Sequence, residues 1–413
     1  MSKTGFVWHE RYMWHDTMSA AGTYRIKGDL QPGLHIENAE TKRRFKNLLD
    51  AYDVTPQLQT LPFGEASDSD LLQFHTPDYV QKIQALSDAQ GGDAGEFTSF
   101  GPGSAGIARL AVGGTTAAIK AVATGKVDNA YALTRPPGHH AERDIGRGFC
   151  IFNNMGLGVL SAISEGLTDR VAIIDWDVHH GNGTQQVFYD RSDVLTISIH
   201  QDMLYPVDMG TLAENGAGKG EGFNLNIPLP PGSGGGAYLA TMEQIVLPAL
   251  EAYKPSLIVV GCGYDASYFD LMSHMMLVST HYREMTRMIK QAADQFCDGK
   301  LMMNHEGGYC DFYVPICGMA VMEELTGIQT AVRDPYAKTE HVSVQALQPH
   351  QQDHIDRARQ GPLAYLKVRS RNKIGLGVGA EGQWEEISRG EAINLLRLRC
   401  LQALAIKALE SQC

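Results

Sequence analysis

Residues 173–180 read IIDWDVHH. Side chains of an extended chain alternate between its two sides, so Asp175, Asp177 and His179 are expected on one side and Trp176 and Val178 on the other. Two carboxylates and an imidazole at the end of a strand form a partial donor set for a hard or borderline cation. Asp265, just past the apolar run LIVVGCGY, is the natural third ligand from a neighbouring strand. The competing reading is a buried hydrogen-bonded network without metal. Unpaired carboxylates on a buried strand cost on the order of several kcal/mol, which favours a cation.

Two further stretches carry proton chemistry. In RPPGHH, two prolines stiffen the loop ahead of His139 and His140, and imidazole is the side chain suited to exchanging protons near neutral pH. A carboxylate or amide behind each ring sets its tautomer, and Asp175 and Asn182 are the candidates. In NHEGGYC, Tyr309 follows two glycines that let the backbone approach closely. A phenol placed this way can donate to a developing oxyanion.

These residues need a scaffold that gathers them. Five short apolar runs, at 129–134, 171–176, 194–199, 257–261 and 300–303, are separated by stretches long enough for helices. That is the pattern of a parallel sheet buried on both faces, and the expected fold class is α/β. Polar segments follow the runs: RPPGHH, DVHHGNG, HQDMLYP, CGYDAS and NHEGGY. Ligands bind outside the carboxyl ends of such strands, so the five loops should converge on one site. Segments 105–124 and 238–253 have helical apolar spacing. The stretches 213–222 and 230–236 are glycine-rich surface loops with no GxxxxGK[ST] phosphate motif.

Composition narrows the function. A net charge of −12 argues against a nucleic-acid surface, which needs clustered Lys and Arg. Seven scattered cysteines without a CxxC pair suggest neither a disulfide framework nor a thiolate zinc site. With no apolar run of about 18 residues and no secretory leader, no membrane association is expected and the location is read as cytoplasmic. The organisation expected is a catalytic domain over 1–337 and a C-terminal extension over 338–413. The extension holds a polar linker and an amphipathic helix at 389–410 that could join subunits into a homo-oligomer.

The ordered motifs RPPGHH, GFCIFNN, DWDVHHGNGT, SIH, GYDA and EGGY resemble those of the histone deacetylase family over roughly residues 5–335. The likeness is to the class II branch, and most of all to its bacterial histone-deacetylase-like amidohydrolases. The resemblance implies the arginase/deacetylase fold, a central parallel sheet flanked by helices on both faces, with one zinc ion held by Asp177, His179 and Asp265. It further implies that His140 is the general base, His139 its electrostatic partner and Tyr309 the oxyanion donor. Phe149 and Tyr205, with Gly148 beside the first, match the walls of an acyl-lysine tunnel. Asp175, Asp177, His179, Ser198 and Ile199 match a structural potassium site.

The implied reaction is hydrolysis of an acetylated lysine in a protein or peptide, with an acetylpolyamine or other small acylated amine as the alternative. The chain departs from the family's pattern in places. Tyr205 stands where Phe is usual. Glu96, with Asp93 as second candidate, stands for the rim Asp that grips the substrate backbone. Met272 occupies the gatekeeper position where polyamine-selective relatives carry Glu. An arginase-like two-manganese site would need carboxylates where Gly181 and Ser267 stand.

Overall fold

The computed structural model describes residues 3–25 and 28–374. The chain divides into two units, Met1–Lys367 and Val368–Cys413. At the centre of the first is an eight-stranded sheet, wholly parallel. The strands are β1 (Thr4–Val7), β2 (Gln59–Thr60), β3 (Asn129–Ala132), β4 (Val171–Asp175), β5 (Val194–Gln201), β6 (Asn224–Leu229), β7 (Leu257–Cys262) and β8 (Leu301–His305). Their order across the sheet is β6-β5-β4-β7-β8-β3-β1-β2. All five apolar runs are strands, and β4, β7 and β8 lie side by side at the centre.

Alternation along the strands divides the core in two. From β4, Ala172 and Ile174 enter one cluster, with Phe45, Tyr282 and Met322 of the helices Glu40–Ala51, Ser279–Phe296 and Val314–Thr326. Val171 and Ile173 enter the other, with Ile119 and Val159 of Ser104–Ala123 and Asn154–Ser164. Burial on both faces is why these strands read as continuous apolar runs rather than alternating ones. The result is the arginase/deacetylase-like α/β architecture, one parallel sheet between two helix layers.

The structure departs from sequence expectation in three places. Strands β1, β2 and β6 coincide with none of the apolar runs: β2 has two residues, and β6, NLNIPL, interleaves asparagines with a proline at the sheet's edge. The helix expected at 238–253 is Gly235–Thr241 and Leu247–Tyr253 with a π-helical turn over Met242–Val246 between them. Pro248 has no N–H to give to the preceding turn and its ring crowds the carbonyl there, so the helix widens. Finally, the compact unit does not stop at 337. Gln345 Oε1 accepts from Gly235 N at 2.8 Å, Gln345 Nε2 donates to Met276 O at 2.6 Å, and His354 Nδ1 donates to Pro228 O at 3.0 Å. The helix expected at 389–410 lies outside the described residues. No helix among the described residues is long and apolar enough to cross a membrane.

Candidate active site

Strand β4 ends at Asp175 and the chain bends, so Asp177 and His179 leave the sheet just beyond its carboxyl edge. Trp176 and Val178 still turn into the core, as alternation expects. Asp265 follows the end of β7, the neighbour of β4. Asp177, His179 and Asp265 are buried, with ligand atoms all within 4.8 Å of one another. His179 Nδ1 lies 3.2 Å from Asp177 Oδ1 and 3.0 Å from Asp265 Oδ2. The backbone holds the carboxylates: Val178 N donates to Asp265 Oδ1 at 2.9 Å and Gly307 N to Asp177 Oδ2 at 2.7 Å. Gly307 has to be glycine, because a Cβ there would stand 2.2 Å from Asp265 Oδ2 and 2.6 Å from Asp177 Oδ2.

The charges of this cluster ask for a cation. Burial and the Asp177 carboxylate push Asp265 up to about 7. Burial alone would lower His179, yet its bonds to Asp177 and Asp265 raise it to about 10. Both shifts express the same excess of negative charge in a dry site, where protons take the place that a divalent ion would neutralise. Two carboxylates and an imidazole fit zinc.

His139 and His140 stand beside the cluster, with ring centroids 4.0 Å apart. His139 Nδ1 donates to Asp175 Oδ2 at 2.9 Å, and His140 Nδ1 donates to Asn182 Oδ1 at 2.7 Å. The two expected supports are therefore in place, one charged and one neutral. Burial lowers both rings, but Asp177 and Asp175 carry His139 up to about 10, while the neighbouring His139 and His179 hold His140 well below the usual imidazole range. Asn182 Nδ2 is in turn held by Glu142 Oε1 at 2.7 Å.

Sequence reasoning missed Glu306. Its Oε2 accepts from Gly138 N at 2.8 Å and His139 N at 3.1 Å, and Asn304 Nδ2 donates to Oε1 at 2.7 Å. This carboxylate thus fixes the backbone that carries the histidine pair. The sequence does hold a signal for it, a glutamate directly after the β8 run and inside the same NHEGGYC stretch as Tyr309.

A cavity of about 190 Å³ descends to these groups. His140, His179 and Tyr309 line it together with four expected residues, Phe149, Gly148, Tyr205 and Met272. The Phe149 ring stands edge-on to Tyr309 at 5.7 Å, and Tyr205 edge-on to His140 at 5.0 Å. A Cβ on Gly148 would lie 2.3 Å from His140 Cδ2, at φ +49°, so only glycine lets Phe149 follow so closely. Burial, with Asp265 and Asp177 adding to it, holds the Tyr309 phenol above its usual range, so it stays a donor. Thr23, Phe97 and Leu204 also line the cavity and had no signal in the sequence. Glu96, expected at the rim, pairs with Arg147 and acts on the phenol of the wall residue Tyr205, and its neighbour Phe97 lines the cavity.

Of the remaining expected residues, Ser198 lies opposite Asp175 in the β4–β5 register, followed by Ile199. Ser198 Oγ is 3.2 Å from His180 Nδ1 and 2.8 Å from His200 Nδ1. His180 thus turns away from the His139–His140 pair.

A protein-family model described as the histone deacetylase domain matches residues 35–325. The histone deacetylase-like amidohydrolase of Pseudomonas aeruginosa is 48% identical over 336 residues, covering 81% of this chain and 88% of that protein. The chain belongs to the histone deacetylase family. Within the family it is also similar to histone deacetylase 8 of Arabidopsis thaliana, 34% identical across 81% of this chain and 91% of that one. The crystal structure of the HDA15 HD domain matches with a TM-score of 0.78 at 28% identity, covering 92% of this chain and 99% of that chain. The family's bacterial branch, expected from six motifs, is where the strongest of these identities lies.

Proposed function

We propose that this histone deacetylase-family amidohydrolase hydrolyses the acyl amide of N-acetyl-lysine in a protein or peptide, using one zinc ion, to give the free amine and acetate. One observation carries the reading: His179 of the Asp177–His179–Asp265 cluster, His140 of the supported histidine pair and Tyr309 all border one narrow cavity walled by Phe149 and Tyr205. A zinc ion held by the three ligands supplies a Lewis acid for the acyl carbonyl and lowers the pKa of water. His140, fixed by a neutral amide, takes the proton of the attacking water through its other nitrogen. His139, backed by the Asp175 carboxylate, stabilises the charge that then sits on the pair. Tyr309 donates its phenolic hydrogen to the oxyanion, and the histidines return a proton to the departing amine.

Asp175, Asp177, His179, Ser198 and Ile199 would hold the structural potassium ion, an oxygen-rich set at the β4–β5 junction that suits a hard cation. The protein is read as cytoplasmic and homo-oligomeric, without nucleic-acid or membrane partners. The second reading, an acetylpolyamine or other small acylated amine as substrate, lacks a carboxylate at the gatekeeper position, where Met272 lines the cavity.

Metal-stripped protein, verified by elemental analysis, should lose turnover of an acetyl-lysine peptide and regain it with one zinc per chain. Undiminished turnover by metal-free protein would end the zinc mechanism. A higher kcat/KM for acetylspermidine than for the peptide would transfer the reading to the polyamine class.

A further inference from the structure

Beside the catalytic cavity lies a larger one, of about 460 Å³, that nothing in the reaction uses. Thr23 and Phe97 line both, so the two open side by side. The second is lined further by Tyr24, Arg25, Asp29, Leu30, Asp93 and Ser99. Aromatic rings run from one to the other: Tyr24 to Phe97 at 5.3 Å, Phe97 to Tyr205 at 6.0 Å, and Tyr205 to His140 at 5.0 Å. Phe97 is the partition, and it stands at φ +53°. A bulky residue in that left-handed region is strained, and such strain persists where the surroundings hold it for a purpose. Of its lining, Tyr24 is 60% exposed and Leu30 47%. Exposed apolar side chains gathered at a concave opening mark a binding surface rather than ordinary scatter.

We propose that this side cavity is a substrate subsite that takes an aromatic or large aliphatic side chain adjacent to the acylated lysine in a peptide that bends at that lysine, since in a straight strand the two side chains would face opposite ways, and that Phe97 divides the two positions. The inference rests on the reading of the chain as an acetyl-lysine hydrolase. A small acylated amine would fill the catalytic cavity and leave the neighbouring one empty. A peptide cannot do so, because its next residue begins only about 3.8 Å along the chain, and the shared wall of Thr23 and Phe97 directs that residue's side chain into the adjoining space. Tyr24, Leu30 and Phe97 supply apolar contact. Asp29 and Asp93 outweigh Arg25 in the lining and so disfavour an acidic residue there, Asp93 Oδ1 already accepting from Gly95 N at 3.0 Å.

The test compares kcat/KM for acetyl-lysine peptides that differ only in the flanking residue, Phe, Leu, Gly or Glu, with a capped single acetyl-lysine as the minimal substrate. The wild-type protein should prefer the Phe peptide over the Gly peptide about tenfold, the discrimination a hydrophobic pocket gives, and the Glu peptide should be the poorest. In Tyr24→Ala and Leu30→Ala the Phe-to-Gly ratio, read within each variant, should fall toward one. Equal use of all flanking residues by the wild type, or a ratio unchanged in both variants, overturns the subsite while turnover of the minimal substrate leaves the deacetylase reading standing. If no acetyl-lysine substrate is hydrolysed by zinc-loaded protein, the reading fails and the subsite with it.

Discussion

At and beneath the floor of the catalytic cavity, Asp177, Asp265 and Glu306 follow the ends of central strands and are clamped by backbone amides in a dry interior, with His179 held between the first two. Toward its mouth, the lining residues Phe97 and Phe149 stand in loops at φ +53° and +69°, and the chain neighbours of two others, Met203 beside Leu204 at φ +55° and Leu271 beside Met272, are 61% and 74% exposed. The floor is rigid because parallel strands on both sides fix where each chain end emerges. The mouth holds its shape by local strain and ring contacts, which a few substitutions can alter. Chemistry is thus tied to the sheet, and selectivity to loops that can change without disturbing it.

The strongest test of that division is at the floor. Tyr309→Phe should lower kcat by about 10²–10³-fold, the effect of removing one oxyanion donor, with an unchanged melting temperature. A loss of less than tenfold would remove Tyr309 from the reaction.

Behind the floor, His75 Nε2 accepts from Asn153 N at 3.1 Å, and burial holds the ring down to about 4. The unfolded chain titrates near the ordinary value of about 6.5, so it takes up a proton that the folded chain refuses. The stability this neutral ring contributes is intact above that pH and lost as pH falls toward 4, by up to about 3 kcal/mol. Urea midpoints at pH 7 and pH 5 should differ less in His75→Gln than in the wild type; identical differences would show that another group sets the acid limb.

Gly307→Ala probes the ligand cage directly. The added methyl would collide with both carboxylates, and zinc affinity should weaken by about 10–100-fold, as when a ligand's support is lost, measured by competition with a chelator. Wild-type affinity would mean that the cage has slack.

The mouth should give the smallest response. Met203→Gly relieves a left-handed conformation at an exposed residue, offset in part by the freedom glycine gains in the unfolded chain. Stability should rise by about 1 kcal/mol or less. A fall of more than that would show Met203 to be a packing residue.

The same division decides what could be read from sequence. Asp177, His179 and Asp265 were legible because an apolar run that ends in carboxylates and imidazoles is costly to bury without a cation, and strand alternation sorts Trp176 from its neighbours. Glu306 sits within a legible motif, but no local rule says that its carboxylate would reach back to Gly138 and His139, 168 and 167 positions away. Phe97 and Leu204 gave no signal because a loop's path depends on tertiary contacts, and the Glu96–Arg147 pair is one of them. Strand β6 was hidden by its asparagines and proline, which an edge position tolerates.

The hydrogen bonds at the floor join residues 36, 87, 130 and 168 positions apart. Contacts of such long range form late, since chain closure must come before they are rewarded. No fragment of the chain holds a partial site that could act alone, and recovery of activity during refolding would report closure of the central sheet rather than any earlier collapse.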